Sequence, residues 1–153
     1  MNIGIFRTRV ESVDKINILI RNSKSFWNYP KSYLDKAIPL LMVDASYLES
    51  NTAFEIRLEE DLVGFFSFAM KDQERHLDHL WIEPFRIKMG IGRQALLFTD
   101  KLAQELGWTE LFTYPDPPAE IFYLKNGFVD TGRRIPSRIE EGPQFAIFSK
   151  KYR

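Results

Sequence analysis

The chain contains no cysteine, which excludes disulfide staples, thiolate catalysis and zinc-thiolate sites. It has no excess of either charge. Lys plus Arg and Asp plus Glu stand at 21 each, so nothing global points to nucleic acid or an anionic membrane, and any anion binding has to be local. No run approaches the roughly 18 apolar residues of a membrane span, and the opening MNIGIFRTRV lacks a long apolar stretch of the export kind. The expectation is a cytoplasmic protein with no membrane partner. Repeats, low-complexity tracts and linker-like compositions are also missing. What remains is 153 residues, 44% apolar with 13 Phe among them, enough for a single domain over 1–153 with a substantial core.

Ile3 and Ile5 mark a short strand, and Val13, Ile16 and Ile20 follow at helical spacing. In KSFWNYPKSYLDKAIPLL, Trp27, Tyr29 and Tyr33 cluster around Pro30, and Pro39 limits or kinks the helix that starts there. These aromatics either line a pocket or cap the core. Phe54, Ile56 and Leu58 alternate with Glu55, Arg57 and Glu59, which predicts a strand with one wet face. A turn at Glu59 to Asp61 leads into LVGFFSFAM, apolar on both parities and therefore an interior strand. His76 to Ile82 is a fourth strand, ELFTYP a fifth, and DPPAEIFYLKNGF a short helix with Asp116 as its N-cap and Gly127 as its stop. Two strands, Phe128 to Arg133 and Gln144 to Lys150, close a single α/β domain.

Between the fourth strand and the next long helix lies IEPFRIKMGIGRQALL. Gly90 and Gly92 let the backbone curl tightly, and Ala95, Leu96, Thr99, Leu102, Ala103 and Leu106 repeat at helical spacing up to Gly107. Unpaired amides and the positive end of the helix dipole make such a start an anion site, with Arg86, Lys88 and Arg93 adding charge; phosphate is the expected group. Gly90-x-Gly92-x-x-Ala95 also satisfies the dinucleotide fingerprint, with Glu110 about 20 residues on. Seven residues, Glu83 to Met89, separate the strand from the first glycine, and the upstream hairpin is not a βαβ unit. Both features argue against that fold.

The segment His76 to Phe128 resembles the GCN5-related N-acetyltransferase superfamily, and the order of elements fits it over the whole chain. The family's Arg/Gln-x-x-Gly-x-Gly/Ala turn is matched by Ile87-Lys88-Met89-Gly90-Ile91-Gly92, with Ile87 in place of Arg or Gln. Its second signature is matched by Ala119, Phe122, Tyr123, Gly127 and Phe128, with Asp116 where Asn is frequent. The flanking SFWNYPKSYL, LDHLWIEP, GRRIPSR and PQFAIF are similar to a bacterial subgroup whose substrates are mostly unassigned.

The resemblance implies a mixed six- to seven-stranded sheet flanked by helices, with acetyl-coenzyme A as donor and no metal. Pantetheine would lie in the splay between the fourth and fifth strands, and backbone N–H groups at Leu80, Trp81 and Ile82 would stabilise the oxyanion of the donor's acyl group. The pyrophosphate would sit on Ile87, Lys88, Met89, Gly90, Ile91, Gly92 and Arg93, and Asp116, Ala119 and Phe122 would complete the donor site. Tyr123 matches the usual acid, which would protonate the coenzyme A sulfur. His76 and Asp78, two apart on a strand, share a face, expected to be that of Leu80 and Ile82, with His79 on the other. Both match positions at which relatives carry a catalytic base, and either residue, or a water it holds, remains open for that role. Trp27, Tyr29 and Tyr33 would stand near the acceptor, a small-molecule amine, and a homodimer is common among such domains. A second reading is a non-catalytic domain that binds or senses acyl-coenzyme A, favoured by Ile87 and the ambiguous base.

Overall fold

The structure is a computed structural model that describes residues 2–153. Seven strands form one sheet: β1 Ile3–Arg7, β2 Thr52–Leu58, β3 Asp61–Lys71, β4 Glu74–Ile82, β5 Glu110–Thr113, β6 Val129–Ile135 and β7 Phe145–Lys151. Their spatial order is β1-β2-β3-β4-β5-β7-β6, antiparallel throughout except for β4 against β5. That one parallel pair is joined in register at a single position, His76 with Phe112. Beyond it β4 runs on to Ile82 while β5 ends at Thr113, so the two strands separate.

Five helices accompany the sheet: α1 Val13–Phe26, α2 Lys31–Leu41, α3 Ala45–Ser50, α4 Ile91–Leu106 and α5 Glu120–Lys125. Two clusters of buried side chains show which face each serves. Phe54, Phe66, Phe68, Leu77 and Phe148 pack with Ile91, Ala95 and Leu96 of α4 and with Tyr123 of α5. On the opposite face Phe65 and Trp81 pack with Ile16, Leu19 and Ile20 of α1, and Tyr47 and Leu48 of α3 join from the rim. β3 feeds both clusters, which is why its sequence is apolar on both parities.

The expected wet face of β2 is covered instead. Glu55 is 1% exposed; its carboxylate accepts from Arg57 Nε at 2.5 Å and from the Arg9 amide at 3.2 Å, so the charge is paired inside. Pro39 lies within α2, where it can give no amide bond to the Asp35 carbonyl, and the helix ends two residues later. Helix α3 was not anticipated. Its start is capped by Asp44, whose carboxylate accepts from the Tyr47 amide at 2.8 Å.

One irregularity in β4 decides where its polar side chains go. Ser67 pairs with His79 and the adjacent Phe68 with Leu77, which leaves Asp78 as an extra residue. The bulge shifts the alternation by one. Leu77, Leu80 and Ile82 all belong to the α4 face, whereas His79 and Trp81 turn to the α1 face, where His79 meets Phe65 and Tyr47.

Candidate active site

The diverging ends of β4 and β5 enclose a cleft of about 270 Å³. At its vertex the Thr113 hydroxyl donates to the Leu77 carbonyl at 3.1 Å, the last link between the two strands. Of the residues singled out in the sequence, Asp78, Leu80, Trp81, Ile82, Ile87, Gly92, Asp116, Ala119, Phe122, Tyr123 and Trp27 line it. Tyr114 and Ser23 line it as well and had not been singled out.

The α4 end of the cleft is built by Gly90 and Gly92, for two different reasons. Gly90 has φ +81°, the left-handed region, with nothing within 4 Å of where a Cβ would stand. At Gly92 a Cβ would meet Phe122 Cζ at 3.0 Å, so this glycine lets α5 approach α4. The first helical bond of α4 runs from the Gln94 amide to the Gly90 carbonyl, so the amides of Ile91, Gly92 and Arg93 precede the helical ladder. Ile91 is wholly buried in the core, backbone included, so at this helix start Gly92 borders the cleft and Arg93 stands at the surface. Lys88 and Arg93 are exposed and make no ion pair among the described residues, whereas Arg86 is held by Glu83 at 3.2 Å.

Tyr123 enters the cleft from the α4 face. Burial, reinforced by the nearby Asp116 carboxylate, raises the pKa of its phenol against the smaller opposing effect of the Thr113 hydroxyl. The phenol is therefore neutral at pH 7 and keeps a proton to donate.

Asp116 does not cap its helix, as the sequence suggested. It precedes the 3₁₀ turn Pro117–Ala119 without a side-chain cap, and its carboxylate accepts from Lys24 Nζ at 2.6 Å and from the Tyr29 hydroxyl at 2.7 Å. Lys24 is 3% exposed, and its Nζ lies 4.6 Å from the Tyr29 ring and 5.2 Å from that of Tyr33. Stronger donors, an ammonium and a phenol, outcompeted the backbone amides for this carboxylate. Adjacent residues of α1 thus hold both arms of the cleft, because the Ser23 hydroxyl donates to the Ile82 carbonyl at 2.9 Å. Tyr29 and Tyr33 serve this brace and do not line the cleft. Lys24 could have been noticed: it continues the spacing Ile16, Ile20, Lys24 along the buried stripe of α1.

On the α1 face, His76 and Asp78 share a side, but not the side of Leu80 and Ile82; the bulge corrects that expectation and brings His79 beside Asp78. Asp78 accepts from the Tyr47 hydroxyl at 2.5 Å and pairs with Lys71 Nζ at 2.7 Å. Burial alone would raise its pKa; the neighbouring His79, Lys71 and Tyr47 outweigh that and lower it. His76 is 2% exposed and does not line the cleft. Its ring packs against Phe112 and against Tyr114, which does. Burial, then the Lys71 charge, lowers its pKa, and its Nε2 has no hydrogen-bond partner.

His79 accepts from Trp81 Nε1 at 2.8 Å through Nδ1, which requires that atom to be unprotonated. Burial pushes its pKa down to about 4. The folded form thus binds fewer protons than the unfolded chain between that value and the ordinary value near 6.5, so stability is complete above ~6.5 and falls as the pH drops towards ~4. The expected loss is about 3 kcal/mol at pH 4 or below, measured by urea unfolding across that range. In His79→Gln this part of the pH dependence should be absent.

A mixed sheet splayed at one parallel pair, with a glycine-led helix start at one arm and a buried tyrosine at the other, defines the acyltransferase class of cleft. The sequence agrees: the acetyltransferase (GNAT) family matches residues 19–128, and the chain belongs to it. The PaiA N-acetyltransferase from Thermoplasma acidophilum, solved with coenzyme A, superposes with TM-score 0.79 at 20% identity over 99% of this chain and 100% of that one. A GCN5-related N-acetyltransferase from Rhodopseudomonas palustris gives 0.82 at 18% identity over 99% and 97%. A GNAT acetyltransferase from Elizabethkingia anophelis with acetyl-CoA bound gives 0.67 at 16% identity over 99% of each chain. No curated protein matches the sequence. Among the described residues no helix is long and apolar enough to cross a membrane.

Proposed function

We propose that the chain transfers an acetyl group from acetyl-coenzyme A to a primary amine of a small-molecule acceptor. The observation that carries this reading is the convergence of one cleft on three groups. Amides outside the helical ladder start α4, a 16-residue helix; the β4 backbone beyond Leu77 stays paired with β3 but has parted from β5; and the neutral Tyr123 phenol stands at the vertex. The cleft fits the donor. Gly90 leaves room for a pyrophosphate to approach the start of α4 at Gly92 and Arg93, and the β4 edge at Leu80 and Trp81, unpaired on the β5 side, suits the amide-bearing pantetheine arm. Ile87 contributes only apolar surface, so the grip on pyrophosphate falls to backbone amides with Lys88 and Arg93 nearby. When bound, acetyl-coenzyme A supplies an activated acyl carbon and a thiol leaving group.

In this reading Tyr123 holds the proton that the departing sulfur takes up. Asp78, ionised and already bound by Tyr47 and Lys71, attracts and orients a cationic amine. His76, neutral at pH 7 and buried behind Tyr114 outside the cleft, can take the proton that the amine must lose only through a relay at Tyr114 or a water, and not by direct contact.

A thermal-shift series tests the donor. Acetyl-coenzyme A at 100 times its Kd should stabilise the fold by ~2.7 kcal/mol, which raises Tm by roughly 5–10 °C for a chain of this size. NAD should leave Tm unchanged; stabilisation by NAD alone would reinstate the dinucleotide reading. A screen of amine classes for thiol release then separates a transferase from a domain that only binds acyl-coenzyme A, because the latter is stabilised without releasing thiol on any amine.

A further inference from the structure

We propose that Lys71 is a site of self-acetylation, its amino group standing where the acceptor nitrogen attacks. This rests on the acyl-transfer reading. Lys71 ends β3, and its Nζ lies 2.7 Å from Asp78 Oδ1 and 5.3 Å from the centre of the Tyr114 ring. Both neighbours line the cleft. One follows Leu77 on β4 and the other follows Thr113 at the end of β5, so they flank the vertex that the Thr113 to Leu77 hydrogen bond closes. Tyr123 reaches the same vertex from the core beneath α4, on the opposite face. A sulfur that leaves towards Tyr123 calls for a nitrogen arriving from the other side, and the chain's own primary amine is held there. A carboxylate and an aromatic face are what recognise an alkylammonium group.

In the step, the Nζ to acyl carbon bond forms and the thioester carbon to sulfur bond breaks. Of the two protons the ammonium loses, one ends on the departing thiol and the other passes to solvent. The product lysine is neutral, so it can neither pair with Asp78 nor lie as a cation on Tyr114. Asp78 is then released to a second amine.

The test incubates the purified full chain with acetyl-coenzyme A and no acceptor. Thermal shift reports binding, and intact mass with peptide mapping reports modification. Stabilisation together with one acetyl group per chain, mapped to Lys71, is expected. Lys71→Arg, which keeps the ion pair, should stay unmodified, and Tyr123→Phe should slow the modification by ~10²-fold. Stabilisation without modification, or modification spread evenly over exposed lysines, would overturn the proposal and leave the acyl-transfer reading standing. If acetyl-coenzyme A neither stabilises the chain nor releases thiol on any amine, that reading itself falls and takes this one with it. A readout independent of the donor is the His76 imidazole, followed by NMR titration. In Lys71→Gln its midpoint should move to higher pH, because the nearby positive charge is gone; an unmoved midpoint would place Lys71 away from the site and overturn the proposal.

Discussion

Tyr123→Phe should lower kcat by ~10²-fold or more on whichever amine releases thiol, while KM for acetyl-coenzyme A stays within about threefold. The ring is retained, so its packing against Phe122 and Phe128 survives and the fold should keep its stability. Only the hydroxyl is lost. An effect confined to kcat identifies a group that acts in the transition state, whereas a matching rise in KM would identify one that merely shapes the cleft. Because burial raises the phenol above its ordinary pKa, the wild type should show no alkaline decline from this group below about pH 10. Unchanged turnover and an unchanged pH profile in the variant would remove Tyr123 from the chemistry.

The second large effect is expected at Lys24→Met. Methionine fills most of the volume but leaves Asp116 without its cation in a site where both partners are largely buried. Removing one member of such a pair costs about 3–5 kcal/mol, because the remaining charge stays desolvated. For this chain length a loss of ~3 kcal/mol corresponds to a fall in Tm of roughly 6–12 °C. The double variant Lys24→Met, Asp116→Leu should recover most of that loss, since no unpaired charge is left behind. A single variant within about 0.5 kcal/mol of wild type would mean that the ammonium reaches water and braces nothing.

The glycine turn and the succession of strands and helices along the chain were legible because each rests on local rules, whereas Tyr123 was singled out by the resemblance of its motif. Left-handed glycines, helical spacing and strand alternation are written in neighbouring residues. What escaped depended on distant partners. The Glu55 carboxylate looked solvated because its strand alternates, yet Arg57 and the Arg9 amide satisfy it inside. Asp116 looked like a cap because it precedes two prolines, but Lys24 lies 92 positions away in the chain and binds it more strongly than a backbone amide could. The faces of His76, Asp78 and His79 were assigned as if β4 alternated without interruption, and a bulge has no signature in a sequence this short. Tyr47 was missed with its helix, although Asp44 three positions before it was a readable cap signal.

The single in-register pair between β4 and β5 gives the sheet a mechanical character. Four strands on one side and three on the other are two leaves bound along a narrow spine at His76, Phe112 and the Thr113 to Leu77 bond. Ladder hydrogen bonds resist bending within a leaf, but few of them resist a change in the angle between the leaves. On one face the shared core beneath α4 spans both leaves, and on the other one turn of α1 ties them, gripping Ile82 with Ser23 and Asp116 with Lys24. At the cleft mouth, away from that core, two consecutive helical residues that belong to neither leaf tie the arms together, as a latch does across the open side of a hinge.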